Sequence, residues 1–448
     1  MRKKVISALL AAGVAAAALT GCGKNAEQAA EAENTEEAGE NADSSHGTDG
    51  GQTVPLKYEG EMLIWVDDAA VSVTEEQLAD FQQANPGISQ TVFTVEAVSE
   101  EDAAERMLSD PTGGADVYIF AQDKTRRLAA AGALQKVPDS YQSSLTEDAD
   151  EGALQSAAVE GELYAYPVTA DGGYLLYYDK SVVSDPSDLD RILEDCEKAG
   201  KSFCMELNSG WYQPSFFFGT GCSLSYETDE AGNFISAEMN YASPQGLVAL
   251  KEMIHVKSSP AFVNGSAAGD AENPGALIDG IWDADLVEEK LGENYACEKL
   301  PSFTGADGET YQMSGFAGYR LLGVKPQKDE NRQLVCDALA AYLSGSPAQL
   351  GRYEAAGWGP SGKAARESGE VSENKALCAL QEQLSCDHLQ GEYPGDYWTL
   401  AMGLGDDVNT GTLNAKTSDA DLMTALQTFQ DTCISYAEGE SEPEEEEN

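Results

Sequence analysis

The chain is poor in histidine and in positive charge. Its three histidines, His46, His255 and His388, are scattered over 448 residues, so a histidine-dependent triad or a histidine-rich metal site has little to draw on. Lys and Arg number 27 against 78 Asp and Glu, for a formal net charge of −51. Such a surface repels phosphate backbones and argues against nucleic acid as a partner. It also disfavours anionic ligands and leaves neutral or cationic solutes. The nine cysteines form no CxxC and no zinc-knuckle spacing, which removes the compact metal or disulfide scaffolds. Gly219-Thr-Gly221 is an isolated glycine pair and not a phosphate-binding loop. No cofactor and no metal is expected. Long apolar runs are also lacking: beyond Ala18 no stretch is long and apolar enough to span a bilayer.

The first residues carry Arg2, Lys3 and Lys4, then an apolar, Ala-rich run from Val5 to Ala18, and then Leu19-Thr-Gly-Cys22. Charge, apolar length and cysteine position together form a signal peptide over residues 1–21 with a lipobox-like cleavage site. Cleavage before Cys22 would leave a thiol to carry acyl chains, each methylene contributing about 0.8 kcal/mol of membrane affinity. Residues 22–57 are mostly Glu, Ala, Asn, Ser and Gly; they bury too little to offset chain entropy and read as a tether. The acidic run 438–448 reads as a disordered tail. These features place a monomeric body at the extracytoplasmic face of a bacterial membrane, held there by Cys22.

The body is too long for one core and suggests two lobes. Glu61–Val66 reads as a buried strand, Thr74–Asn85 as a helix capped by Thr74, and Thr91–Val95 as a second strand. A helix over Glu100–Leu108 and a strand over Asp116–Phe120 follow, giving the alternation of a parallel α/β sheet. Gly161–Pro167 reads as a hairpin and Gly173–Tyr178 as a strand. Helix Pro186–Ala199 and strand Phe203–Leu207 open a second α/β unit. Later helices are expected at Pro244–Ile254, Pro274–Leu277, Arg332–Leu343, Pro347–Ala355, Asn374–Leu384 and Asp419–Ala437. Of the eight body cysteines, Cys196, Cys204, Cys222, Cys297, Cys336, Cys378, Cys386 and Cys433, the even number permits disulfides and buried free thiols alike.

Several segments in order carry a family resemblance: Leu63-Ile-Trp65-Val66, Tyr118-Ile-Phe120-Ala-Gln-Asp123-Lys124, Leu128 to Leu134, Tyr166-Pro-Val-Thr-Ala-Asp171, Leu175 to Lys180, Ala276 to Trp282, and Tyr393-Pro-Gly-Asp-Tyr-Trp398. Over about residues 60 to 435 the chain resembles the maltose/maltodextrin-binding proteins of the family 1 extracellular solute-binding proteins. The resemblance implies a periplasmic-binding-protein-like fold. Lobe 1 would comprise 58–169 and 316–356, and lobe 2 would comprise 170–315 and 357–437. It further implies an oligosaccharide in the cleft between them, the permease subunits of an ABC importer as partners, and no catalysis.

A pyranose offers apolar C–H faces and a hydroxyl rim, so its site needs flat aromatic surfaces with carboxylates or amides beside them. Carried over position by position, the resemblance implies hydrogen-bonding roles for Asp67, Asp123, Lys124 and Asp171. Stacking roles fall on Phe120, on Trp211 or Tyr212, on Trp282 and on Trp398. The chain departs from the maltose binders at Asp68-Ala69-Ala70, where a cation is lost, at Lys124, where Arg is expected, and at Thr399, where a second aromatic is common. Trp65 and Phe216-Phe217-Phe218 read as core, whereas Trp282 suits a cleft-facing ring or an interlobe contact equally. A polyamine or peptide ligand, or a lipid-anchored glycosidase using two of the many carboxylates, are the competing readings.

Overall fold

The computed structural model describes residues 55–439 apart from 230, 231 and 266. The signal segment, Cys22, the tether up to Val54 and the tail beyond Gly439 lie outside the described residues. Two five-stranded sheets organise the chain. In the first, Glu61–Val66 lies between Val92–Ala97 and Val117–Ala121, parallel to both. Arg320–Val324 returns from far along the chain and pairs antiparallel with Val117–Ala121 on one side and with Ala165–Pro167 on the other. In the second sheet, Pro274–Gly280 is flanked by the parallel strand Ser202–Met205 and the antiparallel strand Tyr174–Asp179. Phe262–Asn264 and Tyr295–Glu298 form its edges. Antiparallel strands thus interrupt both parallel arrays at the places where the chain passes between them.

Several helices start and stop where their caps dictate. Asp188, Asp329 and Asn374 each accept a backbone N–H three residues on and so begin helices Leu189–Ala199, Glu330–Ser344 and Lys375–Leu384. The last two match their expected elements to within two residues, while the first starts three residues beyond Pro186. The helix expected to begin at Thr74 starts earlier, at Val71, because Asp67 first organises the short turn Asp68–Ala70 by accepting the Ala69 N–H. Thr74 is therefore a buried residue inside that helix and not its cap. A larger correction concerns Pro274–Leu277, expected as a helix. It is the strand Pro274–Gly280, buried at all seven positions. A central strand covered on both faces has no alternation to distinguish it from a short buried helix.

Trp65 and the Phe216–Phe218 run are core, as their neighbours suggest. Trp65 is 7% exposed and donates its indole N–H to Glu96 at 3.0 Å, and the three phenylalanines are buried on helix Pro214–Gly219. The eight body cysteines are all free. Burial pushes the thiols of Cys196 and Cys433 up to about 12, so they remain protonated and unreactive.

Three segments pass between the sheets, and they touch. Gly172 donates its N–H to Gly318 at 3.0 Å, and Ala170 donates to Gly359 at 2.9 Å. Thr169 bridges Pro360. The contact between Gly172 and Gly318 requires two glycines: a Cβ on Gly172 would stand 2.7 Å from the Gly318 Cα, and backbone cannot move aside as a side chain can. Gly172→Val should therefore lower unfolding stability by about 1–3 kcal/mol, the usual cost of overpacking. Urea denaturation checks this; a loss below about 0.5 kcal/mol would show that the crossing segments are loosely held. Gly357, at φ +72, ends helix Ser346–Ala356 in the left-handed conformation and turns the chain into the third crossing.

Candidate functional site

The crossings meet beneath a cleft of about 890 Å³ whose lining includes Glu100, Gln122, Asp171, Trp211, Trp282, Arg320, Tyr353 and Trp358. Both sheets contribute: Arg320 heads the return strand of the first, and Trp282 follows the central strand of the second. A second cavity of about 940 Å³ lies nearby, with Asp150, Arg366, Asp387 and His388 in its walls. Its Asp150 and Arg366 are already paired at 2.7 Å, and its Tyr319 is only 4% exposed. Apart from the exposed imidazole of His388 it offers no open aromatic face, whereas the first cleft presents Trp282 and Trp211 and is the better candidate for a solute.

Asp171 and Arg320 form the floor of the cleft. The Arg320 Nη1 donates to both Asp171 oxygens at 3.1 and 3.2 Å, and its Nε donates to Glu100 at 2.7 Å. The guanidinium also sits over the Trp358 ring, 4.8 Å from its centroid, a favourable cation–π position. Asp171 accepts the Gly359 N–H at 2.9 Å. One carboxylate therefore joins all three crossings: its own, the one ending at Arg320 and the one that begins at Gly357. Burial lowers the Arg320 pKa, but Asp171 and Glu100 outweigh it and hold the group above its ordinary range.

The predicted stacking residues divide. Trp282 is 58% exposed and lies over Gly280, where a Cβ would come within 2.1 Å of its ring. The neighbouring glycine makes room for an indole presented to the cleft. Trp211 also lines the cleft. It is stacked on Phe316 at 5.1 Å, edge-on to Tyr174 at 6.0 Å, and its buried indole N–H has no partner among the described residues. Of the pair Trp211 and Tyr212, the fold thus brings Trp211 to the site. Tyr212 is 7% exposed and donates its hydroxyl to Asp279. Phe120 must be reassigned: it is completely buried on its strand beside Tyr118, so no ring face remains for a ligand. Trp398 is half-buried among Tyr393 and Tyr397 and against Gly210, outside the cleft lining.

The polar predictions also separate. Asp67 caps the turn after the first strand. Lys124 donates to Glu392 at 2.7 Å and stands 3.5 Å from Asp123, while Arg127 shares the same Glu392 oxygen. Glu392, carried by the segment after the third crossing, thus pairs with Lys124, the cation expected to meet hydroxyls, and with Arg127 beside it. Burial pushes the Asp123 carboxyl up to about 6, with Lys124 opposing and Glu392 adding to the shift. Arg320, Trp358, Tyr353, Gln122 and Gln390 are cleft residues that sequence reasoning missed. The readable signal was the pair of expected lobe boundaries at 316 and 357, which Arg320 and Trp358 closely follow.

Several buried carboxyls share the direction seen at Asp123. Burial raises Asp279 and Asp337 to about 6 and Asp387 to about 7. A raised carboxyl pKa means that the folded state holds a proton the unfolded chain releases. Its stabilising contribution is full below about 3.8 and is lost as pH rises through about 6 to 7. The melting temperature should accordingly climb as pH falls from 7.5 to 5. A scanning series across that interval checks it, and a flat or falling profile would contradict the burial of these groups.

Two α/β lobes, joined by three tied crossings and separated by an aromatic cleft with a polar floor, define a two-lobed protein with a cleft suited to a solute. The chain belongs to the bacterial extracellular solute-binding protein family, whose pattern it matches over residues 76–379. No curated protein matches it. Among solved structures, it is similar to the unliganded maltodextrin-binding protein of L. casei BL23, with 22% identity and a TM-score of 0.71 over 85% of this chain and 100% of that one. The maltose-binding periplasmic protein of Listeria monocytogenes in complex with maltose aligns at 18% identity and a TM-score of 0.66, over 84% and 98% of the two chains. The maltose-maltodextrin binding protein of Alicyclobacillus acidocaldarius aligns at 17% and 0.62, over 83% and 99%. Among the described residues no helix is long and apolar enough to cross a membrane.

Proposed function

We propose that this protein captures an oligosaccharide, of the malto-oligosaccharide type or related to it, for an ABC importer, and that lipidation at Cys22 tethers it to the outer face of the bacterial cell membrane. The observation that carries this reading is the pairing of two indoles, Trp211 and Trp282, with a rim of amides and carboxylates in one cleft. Flat apolar faces receive the C–H surfaces of a pyranose, and the amides and carboxylates of the rim meet its hydroxyls. Lobe 1 comprises 58–169 and 316–356, and lobe 2 comprises 170–315 and 357–437. Ligand contacts on both favour the closed arrangement because closure must carry a differential binding energy. The permease then recognises the closed monomer. No bond in the sugar is broken, and release of reducing ends from malto-oligosaccharides by the purified protein would argue for a glycosidase instead.

A second reading has its own observation. Arg320 is the one Lys or Arg in the cleft lining, and Asp171 and Glu100 already neutralise it. Asp285, Glu354 and Glu370 also line the cleft and are exposed. That balance suits a cationic solute such as a polyamine. A thermal-shift panel of mono- and oligosaccharides, polyamines and peptides separates the two, since a ligand of the native state raises its melting temperature. A rise with one saccharide series supports the sugar reading; a rise with polyamines alone keeps the transport role and removes the sugar.

A further inference from the structure

Outside the cleft lining, two helices of the second α/β unit bring together three metal-ligating groups, one of them about sixty residues from the other two. Asp190 lies in the first turn of helix Leu189–Ala199. Glu252 and His255 lie one turn apart on helix Pro244–Ser258, a spacing that puts both on one face. One carboxylate oxygen from each acid and one imidazole nitrogen lie within 4.8 Å of one another. The His255 Nε2 is 2.7 Å from the Asp190 Oδ1.

Glu252 distinguishes this group from an ordinary surface ion pair. It is only 5% exposed, and its Oε1 is fully buried with no hydrogen-bond partner. A buried carboxylate left unpaired costs several kcal/mol unless it is neutralised or bound to a cation. The nearby cations do not serve it: Arg191 is paired with Glu194, Lys251 with Asp419, and Lys257 sits over Phe262.

We infer that Asp190, Glu252 and His255 form a binding site for a divalent transition-metal ion, of which Zn²⁺ is the best fit, clipping the two helices together outside the ligand cleft. One imidazole and two carboxylates make a mixed N/O set, which suits Zn²⁺ or Co²⁺ better than Ca²⁺ or Mg²⁺, whose sites are built from oxygen. Ligand atoms of a tetrahedral Zn²⁺ site stand about 3.3 Å apart, so His255 and Asp190, at 2.7 Å, need to separate slightly while the widest pair, within 4.8 Å, draws together, and water completes the coordination. Exposure of His255 gives the ion an entry path.

The test is a titration of the untagged, chelator-treated protein with Zn²⁺ and, separately, with Co²⁺. Zn²⁺ at a hundredfold excess over its Kd should raise the melting temperature by roughly 3–5 °C. Co²⁺ should develop a visible absorption band at one equivalent, and Mg²⁺ should do neither. His255→Ala, an exposed change expected to fold normally, should abolish both signals while leaving the response to cleft ligands intact. Glu252→Gln should weaken Zn²⁺ binding at least tenfold. No Zn²⁺-dependent shift in the parent protein, or an undiminished shift and Co²⁺ band in His255→Ala, would overturn the site.

Discussion

Replacing Arg320 with Met should destabilise the protein by about 2–4 kcal/mol, because the guanidinium is partly exposed while its partner Asp171 is buried. The cost arises at Asp171, which is 6% exposed and would keep only the Gly359 N–H among its present donors. The cation–π contact with Trp358 and the hydrogen bond to Glu100 disappear with the guanidinium. Chemical denaturation measures the loss. Adding Asp171→Asn to Arg320→Met removes the stranded charge and should recover a good part of it, since the coupling between touching residues is non-additive. A loss under about 1 kcal/mol, or no recovery in the double variant, would mean that the three crossings are not held by this pair.

Trp282→Ala should weaken ligand binding by about 2–3 kcal/mol, or roughly 30- to 150-fold, the scale for burying a large apolar side chain. Because the indole is 58% exposed in the free protein, the variant should lose little folding stability. That combination distinguishes a ligand platform from an interlobe packing residue. Unchanged affinity with lowered stability would assign Trp282 to packing, and Trp211 would then be the one predicted indole left in the cleft.

The first lobe is legible in the sequence because its strands alternate with amphipathic helices. Glu61–Val66 is found where the pattern places it. The strand Pro274–Gly280 is not legible, since burial on both faces removes periodicity from a short apolar run. Site residues divide on similar grounds. Trp282 is recognisable because Gly280 and the polar residues after it mark a strand end. Phe120 carries the same aromatic signal, but its burial depends on Tyr118 and on Gly323 of a strand two hundred residues away, which no local pattern reports. Arg320 escaped notice for the same reason, as its partners Asp171 and Glu100 come from distant segments. Asp190 and His255 likewise meet only through the packing of two helices.

The measurement that bears most directly on the central claim is isothermal titration calorimetry of the purified protein with malto-oligosaccharides of increasing length, at several temperatures. The predicted result is saturable one-to-one binding with a negative heat-capacity change, as apolar sugar faces and indoles leave water together, and a marked loss of affinity in Trp282→Ala. Absence of heat with every saccharide, alongside clear binding of a polyamine, would contradict sugar capture and make the exposed carboxylates of the cleft its recognition groups.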